Sequence, residues 1–338
     1  MNRRLGIILK IVIAVIIAGI GIYFLSGQID FSKGEPNWGI TFSQFYAQEG
    51  LGLDWKTTYE AIISELNAKK LRLIAYWQYL EPEKGKFDFR DLDWQIEEAQ
   101  KRNKEVVLVI GHRVPRWPEC HTPEWAKNLS KEEFKESIFT YLSTIVDHYK
   151  SFPAIKMWQI ENEPLIFLFG DCPKRDRNFL KKEIALVKSL DSKRPIMITD
   201  SGELSSWLET AGLSEVLGTT LYKIVWNKNF GWWKSLYPPA FYTLRAFMVK
   251  TFYRTQEVII SELQAEPWVP DMKAIIKLPF EQQVEHFEIK QLKGNLEFAK
   301  KTGLRDIYLW GVEWWYWRKV NGDESYWRFG KEILNRFE

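Results

Sequence analysis

A closed parallel eight-stranded β/α barrel, the (β/α)8 or TIM-barrel class, is the fold this sequence predicts. Three observations predict it. From Trp38 to the C-terminus, strand-like and helix-like segments alternate through eight β/α units without a break. The strand segments are continuously apolar rather than alternating, as in a sheet buried on both faces. The chain has 338 residues, enough for one such barrel. An open doubly wound sheet is the alternative, and it needs a phosphate-type glycine turn that the sequence lacks.

The elements follow in order. The first strand is Trp38–Ser43, with a helix near Trp55–Lys69. The second is Leu71–Tyr76, with a helix near Asp91–Arg102. Glu105–Gly111 is the clearest buried strand, followed by a helix near Lys131–Tyr149. Ile155–Ile160 is the fourth strand, with a helix near Asn178–Leu190. Pro195–Thr199 is a short fifth strand with a helix near Leu204–Ala211. Val216–Tyr222 is the sixth, and after a long aromatic loop its helix lies near Ala240–Tyr253. Glu257–Ser261 is the seventh, with a helix near Glu281–Thr302. Asp306–Trp310 is the eighth, and a helix over Tyr326–Arg336 closes the chain.

Ahead of the barrel (residues 38–338) the sequence changes character. Met1-Asn2-Arg3-Arg4 is basic, and Leu5 to Leu25 is apolar, interrupted only by Lys10, Gly19, Gly21 and Tyr23. About 20 residues span a hydrocarbon core as a helix, so residues 1–27 read as a transmembrane signal anchor. A cleaved signal peptide is the rival, which would make the body secreted, but no clear Ala-x-Ala site follows the run. Residues 28–37 form a short polar tether. Arg3, Arg4 and Lys10 put the N-terminus in the cytoplasm and the barrel outside. Because the first strand enters at the N-terminal face, the strand ends are expected to point away from the bilayer.

Composition narrows the function. A formal net charge of +3, with basic and acidic residues interspersed, does not argue for nucleic acid. Hydrophobic residues make up 46%, which supports a sizeable core. The 17 Trp exceed what a core usually needs, and exposed aromatic faces suit sugar C–H faces. No Cys/His cluster has metal-ligand spacing, so neither metal nor organic cofactor is expected. Cys120 and Cys172 are the only cysteines. The barrel puts them on adjacent loops, after strands three and four, where a disulfide is favoured over two free thiols in an exported protein. Oligomeric state is not legible.

In a parallel barrel the active site gathers at the C-terminal ends of the strands. Those ends carry Trp77, His112, Asn162, Glu163, Asp200, Tyr222, Glu262 and Trp310, while Arg72 lies inside strand two. Two glutamates at strand ends, Glu163 and Glu262, suit a glycosidase: one a protonated acid, the other an ionised nucleophile. Glu161 and Glu266 are their rivals. Glu81 and Glu83 read as loop-fixing or solvated, and His121 and His148 as structural or exposed. Asp200 could line the site or fix a turn. The aromatic loop Val225–Trp233 could form a sugar platform or pack over the barrel top. Trp117, Trp268, Trp314 and Trp315 also follow strand ends and are candidates for subsites.

Trp158-Gln159-Ile160-Glu161-Asn162-Glu163-Pro164 and Ile259-Ile260-Ser261-Glu262 resemble the signature of the clan A glycoside hydrolases, retaining TIM-barrel enzymes. That resemblance implies Glu163 as acid/base, Glu262 as nucleophile and Asn162 as partner of the sugar 2-hydroxyl. It further implies substrate-binding roles for His112, for Tyr222 hydrogen-bonded to the nucleophile, and for Trp310 under the sugar. Arg72 sits where family 5 enzymes carry an arginine. The stretch Tyr76 to Phe89, which includes Trp77, resembles a strand-two loop of families 10, 39 and 42. Thr220 stands where many family 5 members have His, so the resemblance reaches the clan and not one family. The implied activity is retaining hydrolysis of β-linked oligo- or polysaccharides, cellulase- or mannanase-like or galactosidase-like. A non-catalytic cell-surface glycan-binding barrel is the alternative.

Overall fold

The computed structural model describes residues 23, 25–227, 231–270 and 272–334. Six strands come first: β1 (Asn37–Thr41), β2 (Lys70–Ile74), β3 (Glu105–Ile110), β4 (Ile155–Ile160), β5 (Ile196–Asp200) and β6 (Val216–Leu221). A two-stranded antiparallel hairpin follows, β7 (Ile224–Asn227) and β8 (Gly231–Lys234). Then β9 (Glu257–Gln264) and β10 (Asp306–Trp310) complete a closed barrel in the order β1-β10-β9-β6-β5-β4-β3-β2. Every barrel pair is parallel. The seventh and eighth expected strands are therefore β9 and β10.

The helices are α1 (Trp55–Glu65), α2 (Arg90–Lys101), α3 (Lys131–Tyr149), α4 (Arg177–Leu190), α5 (Pro239–Phe252), α6 (Ile289–Lys301), α7 (Val312–Val320) and α8 (Ser325–Leu334). Local chemistry sets several starts. Asp54 accepts from Thr57 N at 2.8 Å ahead of α1. Ser130 and Glu133 form a capping box at α3, and Asp176 accepts from the first amides of α4.

The expected fifth helix is absent. Residues 201–215 are turns, because side chains there take over the hydrogen bonding. Asp200 accepts from Ser201 N, Ser205 Oγ and Thr210 Oγ1. Trp207 is buried with φ +67°, which breaks a helix at its centre. The aromatic loop after β6 is the β7–β8 hairpin, and α7 replaces an expected loop. The long helix expected near Glu281–Thr302 is split into a short turn, Phe280–Val284, and α6.

Inside the barrel, size matches across strands. A Cβ on Gly39 would lie 2.6 Å from the Tyr308 ring, and one on Gly218 would lie 2.8 Å from Thr199. Val107, Met197, Val216, Ile259 and Tyr308 fill the lower interior. Above them comes a polar layer built on Arg72, Gln159, Thr199 and Ser261, all fully buried. That layer carries the site.

The expected anchor falls on residues 1–27, of which 1–22 and 24 lie outside the described residues. Among the described residues, no helix is long and apolar enough to cross a membrane.

Candidate active site

The end of β4 departs from strand alternation in two steps. Glu161 (φ +59°) and Glu163 (φ +44°) both take left-handed backbone, a conformation that costs energy in a residue with a Cβ. Glu161 turns away from the interior. Its carboxylate accepts from His112 N at 2.6 Å and Arg113 N at 2.8 Å, and it meets Glu183 of α4. Gly111 makes room, since a Cβ there would lie 2.4 Å from Glu161 Oε1. The rival glutamate is thus a brace for the β3 loop.

Asn162 and Glu163 face the site instead. Asn162 Oδ1 accepts from Arg72 Nη2 at 2.9 Å, Thr199 Oγ1 at 3.2 Å and Gln159 Nε2 at 3.3 Å. Three donors fix the amide's orientation. Glu163 N donates to Thr199 Oγ1 at 2.8 Å, while its Oε1 has no hydrogen-bond partner among the described residues. Burial holds the Glu163 carboxyl well above the usual range, and the carboxylates of Glu262, Glu119 and Asp200 push the same way.

On β9 a bulge re-aims the strand end. Ile260 pairs with Thr219 but Glu262 pairs with Thr220, so Ser261 is an extra residue. Glu262 Oε1 accepts from Arg72 Nη1 at 2.9 Å, and Oε2 accepts from the Tyr222 hydroxyl at 2.9 Å. Arg72 Nε reaches Gln159 Oε1 at 2.7 Å. A fully buried guanidinium therefore spans Glu262, Asn162 and Gln159. Glu203, a half-buried acid, holds Tyr222 by accepting from its N–H at 2.9 Å. Trp268 packs edge-on to Tyr222 at 5.3 Å and is partly exposed.

One residue at the site was missed entirely. The strap Arg113–His121 after β3 folds over the strand ends and delivers Glu119, whose Oε2 accepts from Asn162 Nδ2 at 3.1 Å. Burial raises the Glu119 carboxyl to about 7, against the lowering effect of Arg113 and Asn162. Arg116 and Glu119 both have positive φ. Cys120 is bonded to Cys172 (S–S 2.08 Å), which ties the strap to the β4 loop. Arg113 adds bonds to Ile166 O and Phe169 O of the same loop. Glu119 lies in loop sequence outside any strand, and its adjacency to Cys120 was the one available signal.

Three expected site residues are placed elsewhere or covered. Trp77 is fully buried against Trp125, Phe134 and Tyr141, with Nε1 donating to Glu81. His112 packs edge-on to Trp77 and Phe134 and pairs with Thr122 Oγ1 at 2.7 Å, and burial lowers it to about 3. Its backbone leaves the strand through Gly111 (φ +119°), and the ring lies behind the loop against Trp77 and Phe134. Trp310 does end β10, but the Arg116 guanidinium lies 4.1 Å over its ring and 3.6 Å over Tyr46. Arg116 is in turn paired with Glu266 and Glu313, so Glu266 is a strap partner. Trp314 and Trp315 are core residues. The hairpin is pinned to β9 through Gln264, whose Oε1 accepts from Lys223 N and Ile224 N.

Residues 55–172 match the model of glycosyl hydrolase family 10, about a third of the chain. Endo-beta-1,4-xylanase Xyn10C of Cellvibrio japonicus is 30% identical over 89 residues, 26% of this chain and 14% of that protein. Beta-galactosidase BgaA of Clostridium cellulovorans is 26% identical over 166 residues, 43% of this chain and 25% of that protein. The chain resembles the glycoside hydrolases of clan A. No single family within the clan is fixed. The clan fold extends over most of the barrel. A GH5_18 structure from Bifidobacterium longum subsp. longum, in complex with Manb1-4GlcNAc, superposes with TM-score 0.60 at 12% identity, covering 90% of this chain and 78% of that one. An exo-beta-1,4-mannosidase of Opitutaceae bacterium strain TAV5 gives 0.56 at 14% identity, covering 84% and 54%. The curated relatives are matched over a quarter of their length or less.

Proposed function

We propose that the barrel is a retaining β-glycosidase acting on β-linked oligo- or polysaccharides by double displacement. The observation that carries this reading is the contrast between two buried glutamates. Glu262 accepts a guanidinium N–H and a phenol O–H, two donors that fix its carboxyl in place. Glu163 has burial and neighbouring carboxylates keeping its proton. In the reaction, Glu262 attacks the anomeric carbon while the Glu163 proton passes to the leaving oxygen. Glu163 then takes a proton from water, whose oxygen displaces Glu262 and restores the β configuration. Asn162, held by Arg72, is set to orient the sugar hydroxyl beside the attacked carbon. The relatives' names span xylan, galactoside and mannoside chemistry, so we assign the class and leave the sugar to experiment.

Turnover of a panel of aryl β-glycosides by the full chain, beside Glu163→Gln and Glu262→Gln, tests the reading. Activity on one sugar, lost by about 10²-fold or more in both variants, is expected. Glycan binding with no turnover in the parent would favour a binding barrel.

We also place the barrel outside the cytoplasm, since a disulfide at the site suits an oxidising compartment and the sequence begins with a basic-then-apolar stretch. Protease access to the barrel in intact cells is expected; full protection would count against it.

A further inference from the structure

Helix α5 has two apolar faces. Tyr242, Ala246 and Val249 are buried against the barrel. On the other side Leu244, Phe247, Met248 and Phe252 form one stripe at spacings of three, four and eight, 59%, 64%, 47% and 73% exposed. The stripe extends beyond the helix. Leu236, just before α5, is 70% exposed, and Leu204 and Leu208 of the β5 loop are exposed as well. Arg245 of α5 holds that loop by donating to Gly202 O and Ser205 O. So large an apolar surface needs a partner.

Charge and chain path say which. From Lys223 to Gln256 there is no Asp or Glu, while Lys234, Lys250 and Arg254 are exposed; on the β5 loop the exposed Glu209 is paired with Arg175. An apolar stripe fringed by cations, with aromatics beside it, suits the interface of a membrane carrying anionic lipid. The second observation is independent of composition. The Tyr23 hydroxyl donates to Leu236 O at 2.6 Å, which sets Tyr23 against this patch. A second copy of the chain would meet the same cations and gain no opposite charge.

We propose that the α5 flank lies on the surface of a lipid bilayer containing anionic headgroups, beside Tyr23. The occupant is the membrane interface itself, with Leu244, Phe247, Met248 and Phe252 inserted and Lys234, Lys250 and Arg254 at the headgroups. Helix α5 follows β6 and precedes β9, on the barrel's side. The strand ends would then open along the membrane plane, not away from it, and glycans held close to the surface would reach the cleft. This inference does not depend on the glycosidase reading.

The test uses the full chain, oxidised so that Cys120–Cys172 stays paired. One environment-sensitive thiol label is placed at Phe247→Cys, and in a second protein at Glu97→Cys on α2, across the barrel. Each is measured with and without vesicles of phosphatidylcholine and phosphatidylglycerol. The expected result is several-fold loss of aqueous quenching at position 247 with vesicles, greater with more phosphatidylglycerol, and none at 97. Equal access at both positions with vesicles would overturn the proposal. So would protection of position 247 without vesicles, which would mean that the apolar N-terminal stretch or a second copy covers the face.

Discussion

The side-chain amide of Asn162 donates to Glu119 Oε2 at 3.1 Å, joining two residues 43 apart in sequence. With the Oδ1 side held by Arg72, Thr199 and Gln159, this contact completes a rigid amide beside Glu262. It also brings a third carboxyl to the paired glutamates. The disulfide one residue further on holds it there.

That third carboxyl has a consequence for pH dependence. Ionised Glu119 raises the Glu163 carboxyl, so Glu119→Gln removes a cause of the raised value and lets Glu163 lose its proton at lower pH. The alkaline limb of kcat/KM is expected to move to lower pH. An unmoved limb in an active variant would show that Glu119 is electrostatically silent.

Arg72 touches both Glu262 and Asn162. Arg72→Met strands a buried carboxylate and is expected to cost about 3–5 kcal/mol of stability in urea unfolding. Arg72→Lys keeps a charge but not the fork, so activity should still fall by about 10²-fold while the fold recovers in part. Full activity in the lysine variant would mean charge alone suffices.

The strap depends on its tether. Replacing Cys120 and Cys172 by Ser is expected to cost about 2–4 kcal/mol and to raise KM, because Glu119 and Arg116 would lose their fixed position. Lower stability at unchanged kinetics would make the bridge purely structural.

Stability should fall from mildly acid to alkaline pH. Burial raises Glu119, Glu161, Glu203 and Glu313 from 4.5 to about 7. A raised acid contributes stability in full below about 4.5, lost as pH rises through about 7. His112, lowered from 6.5 to about 3, and His121, lowered to about 4, act oppositely: their contribution is present above about 6.5 and lost as pH falls. Four acids outnumber two histidines, so the net slope between pH 5 and 7 is negative. Urea midpoints across that range check it, and Glu161→Gln should flatten the curve. A midpoint rising from pH 5 to 7 would sink this account.

The barrel was legible because its strands are buried on both faces and so written as uninterrupted apolar runs, which no helix contact obscures. The misjudged elements are ones where side-chain hydrogen bonds overrule propensity, as in the Asp200 turn cluster, or where aromatics form a hairpin rather than a loop. The two strand-end motifs led to Asn162, Glu163 and Glu262, strand position and the family resemblance added Arg72 and Tyr222, and the structure gathers these in one group. Trp77 and His112 were expected there on their position in sequence, but one left-handed glycine turns His112 behind the loop, against Trp77.

By itself, then, the sequence determined the eight barrel strands and which strand ends carry carboxyls, since apolar runs and their ends are local properties of the chain. Only the tertiary structure decided which carboxyls face one another, that Glu161 braces while Glu163 points inward, that Glu119 joins them, and that α5 leaves an apolar flank uncovered. Those outcomes rest on backbone handedness at single residues and on contacts across tens of residues, and neither is written in any window of the sequence.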